Sequence, residues 1–149
     1  MARFGINKIT LQDLGKLPFA GLQEWMRSVV RSINGGVYTP TLTNVTNVAA
    51  STAYECQWQQ IENTVVVSGR VDIDPTALVA TELGISLPPL YPSAFTAVSQ
   101  CGGTGVSALV GSQCAGIDAD ITNDRARLRY IPTSTNNAGM QFTFTYRII

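Results

Sequence analysis

Residues Ile117–Ile131 read IDADITNDRARLRYI, with aspartates at 118 and 120 and arginines at 125, 127 and 129. A period of two is the period of a β-strand, whose side chains alternate between faces. With Asn123-Asp124 as the two-residue turn of a hairpin, Asp120 faces Arg127 and Asp118 faces Arg129, while Ile121, Ala119 and Ile117 face Ala126, Leu128 and Tyr130. One face is ionic and the other apolar. The stretch therefore predicts a hairpin laid on a core, its arginines held by its own aspartates rather than offered to a ligand. Exposed pairs of this kind are worth only ~0–1 kcal/mol each, so they serve register and solubility more than stability.

The same logic applies upstream in YECQWQQIENTVVVSGRV, residues 54–71. A turn at Glu62-Asn63 opposes Glu55 to Arg70 and stacks Tyr54, Cys56 and Trp58 against Val71, Gly69 and Val67. Further strands are expected at roughly 37–43, 53–61, 64–74, 83–88, 95–101, 105–113, 115–122, 125–131 and 140–148, separated by Asn, Asp, Pro and Gly clusters. The closing FTFTYRII alternates Phe142, Phe144, Tyr146 and Ile148 against Thr143, Thr145 and Arg147, and fits the inner face of a sheet. The Gly102-Gly103-Thr104-Gly105 run reads as a flexible connection, since neither a GK[ST] nor a helix follows it. Residues 36–149 are thus mainly β, an antiparallel β-sandwich or jelly-roll-like head.

Before Gly36 the period is helical. Phe19, Leu22, Met26, Val29 and Ile33 are spaced 3, 4, 3 and 4 apart, Pro18 suits a first helical turn, and Gly35-Gly36 reads as a stop. A short helix over 17–35 follows, either a two-heptad coiled-coil seam between chains or an amphipathic helix on its own head. Residues 1–16 form an extended arm with Arg3, Lys8, Lys16, Phe4, Ile6 and Ile9, too few apolar residues for a core of its own. Residues 1–36 carry five basic and two acidic side chains, a net of +3, which leaves −3 for the remainder. The two parts suit different tasks.

Over the whole chain ten basic residues balance ten acidic ones, so no electrostatic pull toward nucleic acid or anionic membrane is expected. Only 13% of residues are charged against 45% hydrophobic, which points to association between chains. No apolar run reaches the ~20 residues that span a bilayer, and MARFGINKIT lacks an apolar signal-peptide centre, so membrane insertion is not expected. There is no histidine, both lysines lie within the first sixteen residues, and Cys56, Cys101 and Cys114 show no CxxC spacing. These counts argue against zinc, a Ser-His or Cys-His pair, and any cofactor. The cysteines read as buried free thiols, with a Cys101–Cys114 bridge the alternative. Asp72, Asp74, Asp118, Asp120 and Asp124 are the carboxylates that could hold calcium or act as a pair.

The phrases GVYTPTLTNVTNV, VSGRVDIDPT, ELGISLP, DITNDRARLRY and FTFTYRII, in this order over residues 36–149, resemble a β-rich module of tailed-bacteriophage and prophage virion surface proteins. The resemblance implies a trimeric module displayed on the particle, assembled in the host cytoplasm. It would dock on capsid or tail proteins through residues 1–16 and trimerise with the help of the seam. A fibre or appendage tip is the reading that follows, with a capsid decoration or head-fibre protein as its alternative; a carbohydrate-binding module meeting a host surface glycan is the alternative from another class. An enzyme is not expected.

Overall fold

The computed structural model describes residues 33–107 and 113–149. Its strands are β1 Ile33–Tyr38, β2 Leu42–Thr46, β3 Val48–Ala53, β4 Cys56–Ile61, β5 Thr64–Pro75, β6 Thr81–Ile85, β7 Cys101–Ser107, β8 Cys114–Asp120, β9 Arg125–Tyr130 and β10 Ala138–Arg147. They form one sheet in the order β1-β4-β5-β10-β7-β8-β9-β6-β2, with β3 on β5 outside this path. β2 pairs with β6 at one end of the order. β3, one residue further along the chain, pairs with β5 near the other end. The chain itself thus closes the sheet into a curled wall through the single residue Asn47. The strands are antiparallel and the module is mainly β as expected, with ten strands where the sequence suggested nine, and all ten belong to one curled sheet. Gly35–Ile149 is one compact unit.

The core follows the alternation. Phe142, Phe144 and Tyr146 are buried while Thr143, Thr145 and Arg147 are exposed. Opposite them, Val65, Val67, Val71 and Ile73 of β5 are fully buried. Burying side chains of this size is worth about 1.5–3 kcal/mol each, which makes β5 and β10 the spine of the module. The β4–β5 hairpin turns at Glu62-Asn63 as the sequence predicts, with Glu62 at φ 54° and Trp58 opposite Val67.

Three elements differ from expectation. Ile33 opens β1 rather than closing a helix, and Gly35-Gly36 are strand residues. A Cβ on Gly36 would stand 3.0 Å from the Trp58 ring, a tight contact that favours glycine there. Phe19, Leu22, Met26 and Val29 of the proposed seam lie outside the described residues, as do Arg3, Phe4, Ile6, Lys8, Ile9 and Lys16 of the arm. Second, the 95–101 stretch is a loop with a 3₁₀ turn at Val98–Gln100. The Gln100 side-chain oxygen accepts the Thr96 and Ala97 backbone N–H groups at 2.6 and 2.9 Å, which diverts them from a ladder. Third, the glycine run of 102–105 is not a connection but part of β7, beside β10. Phe142 and Phe144 stand opposite Gly105 and Gly103, so aromatic bulk on one strand meets missing side chains on the next.

Gly35 lies against Trp58 O and Gln59 Cα, and Gly36 against Trp58, so β1 runs away from the β4–β5 turn. The Ile148 N–H donates to Asn63 O at 2.8 Å. The start of β1 and the C-terminus therefore share one end of the sheet, and the Asn47 corner marks the other.

Candidate functional site

The stretch that opened the reading keeps its faces and changes its register. Asp118 is opposite Arg127, Asp120 opposite Arg125 and Ala119 opposite Ala126, a slip of two residues from the expected pairing. The cause is the turn, which spans Ile121–Asp124 and leaves Ile121 48% exposed instead of facing Ala126. Asp120 Oδ1 accepts the N–H groups of Thr122 and Asn123, and Asp124 takes φ 49°. A side chain that caps its own turn fixes a four-residue loop where Asn-Asp alone suggested two. The ion pairs follow: Arg125 Nε to Asp120 Oδ2 at 2.8 Å, Arg127 Nε to Asp118 Oδ1 at 2.9 Å, and Arg129, one pair further along, also to Asp118.

Burial pushes the Asp120 carboxyl up, but hydrogen bonds from Asn123, Arg125 and the Thr122 N–H outweigh it and hold the group below the ordinary carboxylate range. A depressed folded value stabilises above the unfolded value of about 3.9 and is lost as pH falls through the folded one. Asp120→Asn should therefore lower the urea midpoint at pH 7, and the gap from the parent should close below pH ~4. A gap that stays constant down to pH 2 would show that the charge is not what matters.

Arg70 does not pair with Glu55. Its guanidinium binds Asp72 at 2.8 Å and covers the Tyr54 ring at 5.0 Å, while the Tyr54 hydroxyl donates to Asp72 Oδ2 at 2.8 Å. Tyr54 and Glu55 form the break between β3 and β4, so the alternation that would put Tyr54 beside Cys56 in the core is lost, and Tyr54 is 41% exposed. Trp58 is buried as expected, packed on Tyr91 with ring centroids 4.9 Å apart.

The other carboxylates are also engaged. Asp124 Oδ1 accepts the Phe95 N–H at 2.7 Å and Asp74 Oδ1 accepts Asn137 Nδ2 at 2.8 Å. Among the described residues no group of three or more His, Cys, Asp or Glu side chains converges on a point where a metal could sit. Cys56 and Cys101 are buried free thiols, but Cys114 is exposed. Cys101 lies opposite Tyr146 and Cys114 opposite Val106, at different levels of the wall, so the bridge between them is not formed.

Several concavities remain, and two of them are lined mainly by strand residues. A cleft of about 300 Å³ near the Asn47 end is lined by Thr46, Ala80, Thr81, Glu82, Arg129, Tyr130 and Ile131. Burial, then the Asp74 charge, pushes the Tyr130 phenol up to about 12, so it is a donor at neutral pH, and its hydroxyl has no partner among the described residues. A larger groove of about 530 Å³ lies along β10, β7 and β8, lined by Thr104, Val106, Cys114, Gln141 and Thr143 together with the buried Gly105, Ala115 and Phe142. Sequence reasoning missed both, and missed Asn47 as well. Its signal was partial: the run TNVTNV holds two asparagines, Asn44 and Asn47, both suited to positive φ, and nothing local chooses between them.

No protein-family model matches the chain, and no curated protein sequence matches it. Among solved structures it is similar to the reovirus attachment protein sigma1, determined in complex with α-2,3-sialyllactose, at 10% identity and a TM-score of 0.48 over 78% of this chain and 67% of that one. The likeness bears on neither ligand nor partner.

Proposed function

We propose that the chain is a structural protein of a tailed-bacteriophage virion surface, a fibre or appendage component that assembles as a homotrimer and acts by docking and display rather than by turnover. The carrying observation is that Asp72, Asp74, Asp118, Asp120 and Asp124 are all spent on holding strands, turns and loops together. The phrases shared with phage surface modules supply the class. The positive, apolar residues 1–16 are the docking segment, and Phe19, Leu22, Met26 and Val29, ahead of β1, are the trimerising ones. The β module carries the display surface, which includes the Asn47 end. A capsid decoration or head-fibre protein uses the same parts. The carbohydrate-binding reading is favoured by the cleft at that end and disfavoured by the aromatics, since Trp58 is buried and one face of Tyr54 is covered by Arg70.

Light scattering of the full chain should report about three times 16.0 kDa. Deleting residues 1–16 should leave the β circular dichroism unchanged and abolish co-sedimentation with particles assembled without the protein. A monomer at micromolar concentration would sink the trimer, and equal co-sedimentation of the truncated chain would sink the docking segment.

A further inference from the structure

Thr46, Glu82 and Arg129 stand side by side in one register row across β2, β6 and β9. Neighbouring strands lie about 4.8 Å apart, so the row carries a hydroxyl, a carboxylate and a guanidinium over about 10 Å. A break in the ladder creates it. The pairing shifts between Asn44 and Thr46, and this bulge brings Thr46 opposite Glu82, where an unbroken ladder would place Val45. Bulges re-aim side chains and are common next to functional sites.

The three residues line the cleft of about 300 Å³ together with Ala80, Thr81, Tyr130 and Ile131. Glu82 is half-buried there and makes no hydrogen bond or ion pair with any described residue. Arg129, its cross-strand neighbour, turns instead to Asp118, which also holds Arg127. Two arginines and two carboxylates thus leave this part of the wall without net charge. Tyr130 is only 6% exposed, and its hydroxyl likewise lacks a partner among the described residues. Polar groups drawn out of water are as a rule hydrogen-bonded, so orphans gathered at one cleft point to something outside the chain that completes them.

We propose that this cleft binds a neutral saccharide, with Glu82 accepting from sugar hydroxyls, Arg129 and Thr46 donating to sugar oxygens, and Ile131 covering an apolar ring face. The lining selects that class. An acidic ligand would meet the Glu82 charge, and a cationic one would upset the balance of Asp118 and Glu82 against two arginines. A purely apolar ligand would bury Glu82 with no donor to replace its water. A sugar brings donors and acceptors on one ring, and Arg129, which uses Nη2 for Asp118, keeps further N–H groups to meet them. Ile131, 67% exposed, and Ala80 supply aliphatic cover rather than an aromatic platform. A single sugar is therefore held weakly, with Kd about 1–10 mM. The inference goes beyond the display role and needs no trimer; assembly would present three such sites together.

The test is NMR on the full chain, titrated in turn with glucose, galactose, mannose and N-acetylglucosamine, and with lactose and α-2,3-sialyllactose as a matched neutral and acidic pair. At least one neutral sugar should shift the amide signals of Thr46, Glu82 and Arg129, and sialyllactose should bind no better than lactose. Glu82→Gln should weaken the bound sugar by about ten-fold or more, because the charged acceptor is lost, and Thr46→Val by about three-fold. Both lie on the surface of the sheet, so the urea midpoints should stay close to the parent's. No shift with any of these sugars at about ten-fold above the expected Kd overturns the inference. So does a shift confined to other strands, or binding that Glu82→Gln leaves undiminished. A preference for sialyllactose overturns the neutral class and the role of Glu82. None of these results bears on the trimer, which light scattering tests separately.

Discussion

Asn47→Ala should destabilise the module by about 3 kcal/mol in urea unfolding at neutral pH, because it removes several hydrogen bonds and forces a positive φ on a residue that resists it. Asn47 sits at φ 57° between β2 and β3. Its amide donates to Ala77 O at 2.7 Å and to Thr81 Oγ1 at 2.7 Å, and its oxygen accepts the Ala77 N–H at 2.8 Å and the Thr76 hydroxyl. One side chain thereby ties the 76–81 loop to the corner where the chain passes from one end of the sheet toward the other. Asn47→Gly separates the two contributions, since it keeps the conformation and loses only the bonds. It should cost less than the alanine by about 1 kcal/mol. Equal costs would mean that the backbone conformation contributes nothing.

Gly103→Ala should be at least as damaging, costing about 3 kcal/mol or more, because the added methyl meets backbone that cannot swing aside. It would stand 2.3 Å from Thr143 O and 2.6 Å from Phe144 Cα, in the middle of the β7–β10 ladder. The neighbouring Gly102→Ala is the contrast, with open space around its Cβ. Its unfolding free energy in a dissociated chain should stay within about 0.5 kcal/mol of the parent, as for a surface substitution. A mild Gly103→Ala with a severe Gly102→Ala would mean that β7 faces the other way.

These two residues also mark how far the sequence could be read. The β class, the two faces of β10 and the Glu62-Asn63 hairpin were legible, because alternation with period two and turn chemistry are local properties. Register at 117–131 was legible only in part. A slip of two residues leaves every side chain on its original face, so the apolar and ionic faces of IDADITNDRARLRYI are right under either pairing, and the choice falls to Asp120 capping its own turn. Tyr54 was misplaced because a two-residue break between strands leaves no local mark.

By itself, then, the sequence determined an antiparallel β module with an aromatic inner face on its last strand and an ionic outer face at 118–129. The tertiary structure alone decided that the strands form one curled sheet, that the glycines of 102–105 belong to a strand beside β10, and that Asn47 closes the wall. The physical reason is common to all three. A glycine or an asparagine acquires its role from what lies across from it, the Phe144 backbone in one case and the 76–81 loop in the other, and those neighbours are about forty and thirty residues away along the chain.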